Sequence, residues 1–185
     1  MGSVRRTHDL DAIALGYRTE NLWGRHGQIC RWVFGHCRHG IMLPGDLIMR
    51  PLHTSYRVSN LAVSLAFYTA LGYEQVGRVD LGAGASLTML KFPGEEIVTL
   101  ELVHRPDDGP VDIGTGFSHI PVQVDDLAAT LEQLVEAGLM PGPVERPGGP
   151  DGPQISWLTD PDGYRIELVQ WPPGHPHGIT SADFR

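Results

Sequence analysis

The chain has 185 residues, with 22 acidic against 14 basic side chains, a formal charge of −8, and 41% apolar and 19% charged residues. That size and balance describe one globular domain, or two small halves sharing a core. The negative charge and the single lysine, Lys91, argue against nucleic acid or anionic lipid as partners, and no apolar run approaches the ~18 residues of a membrane span.

Arg5 and Arg6 have no apolar stretch behind them, so no secretory signal is expected and the protein reads as cytoplasmic. Residues 1–48 sustain neither a period of 2 nor one of 3.6. They read as a poorly patterned N-terminal extension outside the native fold, with Met49 a candidate natural start; an arm crossing onto a partner subunit is the alternative. Within them, Cys30 and Cys37 lie near His26, His36 and His39. The spacing is neither a zinc finger's nor that of a disulfide framework, so the cluster reads as incidental. Six basic and four acidic residues precede Met49, leaving 8 against 18 and a net of −10 for the remainder.

From Met49 the chain becomes legible. An alternating strand over 52–58 leads to Ser59 or Asn60 as a helix cap. Leu61, Leu65 and Tyr68 mark an apolar helical stripe, and Gly72 stands where a C′ glycine ends a helix. Strands follow near 74–80, 86–92 and 96–104. A second series has a strand at 117–124, a cap at Asp125 or Asp126, a helix through Leu127, Leu131, Leu134 and Val135, and Gly138 at its end. Three more strands are expected at 141–146, 154–159 and 164–170, the last two joined by the turn Asp160-Pro-Asp-Gly163. The prediction is an α+β fold of two tandem βαβββ modules, about 50–105 and 116–171, within a domain spanning 49–172. Residues 173–185 form a Pro/Gly-rich tail in which His175 and His177 are expected to be solvated.

The two series are an internal repeat. His53, Val58, Leu61, Ala62, Leu65 and Gly72 match His119, Val124, Leu127, Ala128, Leu131 and Gly138 at a constant offset of 66. The same offset carries Glu101-Leu102 onto Glu167-Leu168, so a His…Glu spacing of 48 residues occurs twice without a gap. Side chains alternate along a strand. His53, Ser55 and Arg57 therefore share a face, as do Glu101, Val103 and Arg105, while Leu100 and Leu102 point the other way. His119 and Gln123 oppose Ile120, Val122 and Val124; Arg165, Glu167 and Val169 oppose Ile166 and Leu168. His104 points away from Glu101 and reads as structural. Where those polar faces converge, two imidazoles and two carboxylates make a divalent-metal site: imidazole suits Zn, Ni, Fe or Cu, and carboxylate supports higher coordination. There is no Gly-x-Ser-x-Gly elbow, phosphate loop or His-Glu-x-x-His motif to suggest competing chemistry.

These residues resemble the vicinal oxygen chelate superfamily and, within it, the glyoxalase I (lactoylglutathione lyase) enzymes. The likeness covers roughly residues 50 to 171. It is carried by Leu-His53-Thr-x-x-Arg57-Val, Ser64-x-x-Phe-Tyr-x-x-Leu-Gly72, Glu101-Leu, His119-Ile and Asp160-Pro-Asp-Gly-Tyr-Arg-Ile-Glu167-Leu. Glu101 is the discriminating residue, since related dioxygenases and fosfomycin-resistance enzymes lack a carboxylate there and methylmalonyl-CoA epimerases typically carry glutamine.

The resemblance implies isomerisation of the hemithioacetal of methylglyoxal and a small thiol to a hydroxyacyl thioester, through an enediolate. It implies one divalent metal per site held by His53, Glu101, His119 and Glu167, with Ni²⁺ favoured and Zn²⁺ or Co²⁺ as alternatives. Glu167 would be the base, with Glu101 its counterpart across the metal. Arg57 matches an arginine that these enzymes use for the glutamyl end of glutathione, and Arg105 lies on the corresponding face of its own strand. The family commonly has asparagine at the Arg105 position and a lysine near Pro147-Gly-Gly-Pro150. Their replacement here leaves the cosubstrate open between glutathione and another cellular thiol, such as mycothiol or bacillithiol. The family also implies a homodimer whose sites each combine the first half of one chain with the second half of the other. Another metal-dependent member of the superfamily, or a non-catalytic binding protein of the same fold, is the alternative expectation.

Overall fold

The computed structural model describes residues 50–175 and 178–184. The proposed extension, Met49, both cysteines and His177 lie outside the described residues. The first module runs β1 (Thr54–Val58), α1 (Leu61–Ala70), β2 (Glu74–Gly82), β3 (Ala85–Lys91) and β4 (Leu100–His104). The second runs β5 (Ile120–Gln123), α2 (Leu127–Glu136), β6 (Gln154–Thr159) and β7 (Arg165–Gln170).

Both helices start and stop as their sequences dictate. Asn60 Oδ1 accepts from the amides of Ala62 and Val63, and Asp126 Oδ1 accepts from that of Ala129, so side chains satisfy amides that have no intrahelical partner. Beyond the last turns, Gly72 and Gly138 take φ of 107° and 86°, a left-handed region that a side chain disfavours.

The sheets are ordered β1-β4-β3-β2 and β5-β7-β6. In each, the first and last strands of the module pair in parallel, with Ser55 beside Glu101 and Pro121 beside Glu167, while the hairpin partners are antiparallel. The second sheet has one strand fewer than expected. Residues 141–146 form only an isolated bridge, Glu145 with Ile155, plus a bond from the Gly142 amide to the Trp157 carbonyl. Pro141 and Pro143 explain this, because neither has an N–H to donate to a ladder. In the first sheet, the last strand begins at Leu100, later than expected, after the Pro93-Gly94 turn.

One core serves both modules. Tyr56, Val58, Leu90, Leu100 and Leu102 from the first sheet share one cluster with Leu158, Ile166 and Leu168 from the second and with Leu61, Tyr68, Leu127 and Leu134 of the helices. The modules are also joined by a buried polar chain: the Tyr56 hydroxyl donates to that of Tyr68, which donates to Asp160 Oδ2 at 2.9 Å. Asp160 Oδ1 takes the amides of Asp162 and Tyr164, closing the Asp-Pro-Asp-Gly turn. Burial pushes the Asp160 carboxyl above its ordinary value and both tyrosine hydroxyls well above theirs. Among the described residues no helix is long and apolar enough to cross a membrane.

Candidate metal centre

Because the apolar alternates of β1, β4 and β7 face the shared core, the residues between them face away from it. His53 immediately precedes β1, one step diagonal from Glu101 on β4, and its Nε2 lies 3.6 Å from Glu101 Oε2. The repeat reproduces this arrangement. His119 immediately precedes β5, and its Nε2 lies 3.2 Å from Glu167 Oε2 on β7. Glu101 is buried and Glu167 half-buried, as are both histidines. The four residues thus form two imidazole–carboxylate pairs, and among the described residues no group of three or more His, Cys, Asp or Glu side chains is placed to hold a metal.

The surroundings of the two pairs differ. Ser55 Oγ donates to Glu101 Oε1 at 2.6 Å. Among the described residues Glu167 has only His119 as a polar side-chain partner, and beside it Trp157, its cross-strand neighbour, meets the His119 ring edge-on at 5.3 Å. The Arg165 guanidinium covers the same indole at 3.8 Å. On the imidazole, Ser118 Oγ stands 2.9 Å from His119 Nδ1. Glu167 also lines a cavity of about 390 Å³ with Pro121, Gln123, Pro147, Pro153, Ile155, Val169, Trp171, Gly178 and Ile179. Ile155 and Val169 are buried here, apart from the main core.

The two arginines on the first sheet are placed differently. Arg57 Nη2 donates to the Gly109 carbonyl at 3.0 Å and its Nε lies 3.7 Å from Asp108 Oδ2, so the 106–109 turn holds it. Arg105 is exposed and has no side-chain partner among the described residues. His104 turns away from Glu101 and borders a separate depression with Asn60 and Arg78.

A sequence profile of the Glyoxalase/Bleomycin resistance protein/Dioxygenase superfamily matches residues 50–168. The chain belongs to this superfamily. Lactoylglutathione lyase from Neisseria meningitidis serogroup A is 38% identical over 128 residues, covering 66% of this chain and 91% of that protein. The Salmonella typhimurium lactoylglutathione lyase is 34% identical over 128 residues, covering 66% of this chain and 93% of that protein. A point mutant of glyoxalase I from Zea mays superposes with a TM-score of 0.58 at 28% identity, covering 65% of this chain and 45% of the maize chain. The trypanothione-dependent glyoxalase I of Leishmania major gives 0.54 at 26% identity, covering 66% and 87%. This member of the superfamily is an enzyme of the glyoxalase I type.

Glyoxalase I-type enzymes are generally metal-dependent, and the donor chemistry here suits an ion. An ion about 2.1 Å from a nitrogen and an oxygen holds them about 3.0 Å apart in octahedral geometry and about 3.4 Å in tetrahedral geometry. The observed separations of 3.6 and 3.2 Å lie close to that range, so the spacing of either pair suits two ligands of one ion.

The structure adds Ser118, Trp157 and Arg165 around the second pair and gives Ser55 a partner. Trp157 was detectable by strand alternation, since the turn at 160–163 fixes it opposite Glu167. Ser118 carried no signal, because no pattern relates a residue to the ring nitrogen of its neighbour. One expectation is corrected in the tail: His175 is not free in solvent but stacks on Trp171 at 4.4 Å and lies 3.1 Å from Asp183. Trp171 offers an aromatic face that a Pro/Gly-rich composition did not suggest.

Proposed function

We propose that this enzyme isomerises the hemithioacetal of methylglyoxal and a small thiol to a hydroxyacyl thioester, using one divalent metal per site and a homodimeric assembly. The observation that carries the proposal is the pair of half-sites, His53 with Glu101 and His119 with Glu167, on sheet faces directed away from the core. Among the described residues no three of these side chains gather to hold one ion within the chain. A twofold axis that sets the first pair of one copy against the second pair of its partner yields two sites of four ligands each.

The metal, once bound, supplies positive charge against the oxygen anion that develops as the substrate loses a proton. Ni²⁺ is favoured by the likeness to compact bacterial glyoxalases. The protein's own contribution is proton handling and orientation. Glu167 borders the apolar cavity and takes the proton from one carbon, then returns it to the next. Glu101 stands opposite as the second carboxylate. Pro121, Ile155, Val169 and Trp171 exclude water from the reacting carbons. Arg57 and Arg105 take the carboxylate end of the thiol as charge-assisted partners.

The test is thioester formation from methylglyoxal pre-mixed with glutathione, by Ni²⁺-loaded protein, beside the Glu167→Gln variant. Loss of ~10²–10⁴ in turnover in the variant is expected for removal of a general base. A wild-type protein that binds Ni²⁺ and forms no thioester defeats the assignment to glutathione; equal turnover in the variant defeats Glu167 as base.

A further inference from the structure

We propose that Ser55 is a positioning residue that tethers Glu101, leaving Glu167 the untethered carboxylate of the two. The inference rests on the metal reading above. Both oxygens of Glu101 are engaged: Oε1 accepts the Ser55 hydroxyl at 2.6 Å and Oε2 faces His53 at 3.6 Å. A hydroxyl donating to an ionised carboxylate at that distance is among the stronger hydrogen bonds. The internal repeat provides the control. The residue equivalent to Ser55 is Pro121, in the same register beside Glu167, and proline brings no donor. Among the described residues Glu167 therefore keeps one oxygen without a side-chain partner, and its side chain is more exposed than that of Glu101, 19% against 12%.

The histidines are tuned in the opposite sense. Ser118 Oγ meets His119 Nδ1 at 2.9 Å, while its repeat equivalent, Leu52, is 76% exposed and offers no polar group. The first half-site thus steadies its carboxylate and the second steadies its imidazole. A hydroxyl accepting the Nδ1 proton leaves the Nε2 lone pair directed at an ion, as outer partners of metal-binding histidines do. A carboxylate that must shuttle a proton needs a free oxygen, and a carboxylate that only holds an ion is better tethered. The two repeats meet one requirement each.

Ser55→Ala and Ser55→Thr test this in the full chain. Ni²⁺ affinity of the metal-free proteins is measured by competition with a chelating dye, beside kcat and KM for the glutathione adduct. Loss of an outer-shell partner typically weakens metal affinity or activity 10–100-fold, so Ser55→Ala is expected to bind Ni²⁺ at least about tenfold more weakly. Ser55→Thr, which keeps the hydroxyl, is expected to stay within about twofold of wild type by the same principle. Thermal unfolding of the metal-free variants confirms that both are folded. Ser55→Ala with affinity and kcat matching wild type overturns the proposal, as does equal weakening by Ala and Thr. A wild-type protein that binds no Ni²⁺ removes the metal reading itself, an outcome distinguishable from either.

Discussion

Replacing Tyr68 with phenylalanine removes one oxygen from the middle of the buried chain that joins the two modules. Tyr68 is 1% exposed, and its hydroxyl both accepts from Tyr56 and donates to Asp160 Oδ2. Without it, the Tyr56 hydroxyl lacks its acceptor and Asp160 Oδ2 loses its donor, in surroundings where Tyr56 is 8% and Asp160 5% exposed. A buried polar group stranded in this way costs ~1–3 kcal/mol, so the two together should cost about 2–6 kcal/mol. Tyr56→Phe is milder, because Tyr68 keeps its bond to Asp160; the loss of one neutral hydrogen bond costs about 0.5–1.5 kcal/mol. Adding Tyr56→Phe to Tyr68→Phe should then cost little, since it removes a hydroxyl already orphaned. Urea unfolding at neutral pH, compared by midpoint at constant m, reads all three. Equal losses for the two single variants, or strict additivity in the double variant, would refute the chain as the link between modules.

Asp160 also makes stability depend on pH. Burial raises its carboxyl in the folded state, so the folded protein binds that proton more tightly than the unfolded chain does. Its contribution is therefore complete below the ordinary carboxylate value of about 4 and is lost as pH rises through the elevated one. Asp160→Asn should flatten that part of the profile, and an unchanged slope in urea midpoints from about pH 4 to 7 would contradict it. Asn60→Ala strands the amides of Ala62 and Val63 at the start of α1 and should cost about 0.5–2 kcal/mol by the same unfolding assay. A loss below measurement error would mean that solvent replaces the cap. Arg57→Ala should raise KM for the glutathione adduct about tenfold or more with kcat little changed, since it removes a charged hydrogen-bonding group remote from the reacting carbons. A fall in kcat at constant KM would move Arg57 into the chemistry.

Much of the fold was legible because its signals are local. Asn60 and Asp126 cap, Gly72 and Gly138 terminate, and the Asp160 turn closes the last hairpin, each where its side-chain chemistry requires. The strand expected at 141–146 failed for an equally local reason. Pro141 and Pro143 have no N–H to donate to a ladder, and only the bridge at Glu145 forms there. Alternation placed His53 and Glu101, and His119 and Glu167, on the polar faces of their strands; the parallel pairing that sets Ser55 beside Glu101 and Pro121 beside Glu167 is a long-range feature that alternation does not carry.

Convergence of the half-sites was not legible, since alternation states which side of its own strand a residue occupies and nothing about the opposite sheet. Here the physics points one way. Tyr56, Leu100 and Leu102 must share a core with Ile166 and Leu168, because burying those faces against each other is what holds two small modules together. The intervening residues, Glu101 and Glu167 among them, are thereby directed away from the common core, and each carboxylate meets the histidine of its own module. In the dimer proposed above, association with a second copy would bring the two pairs together while leaving that core intact.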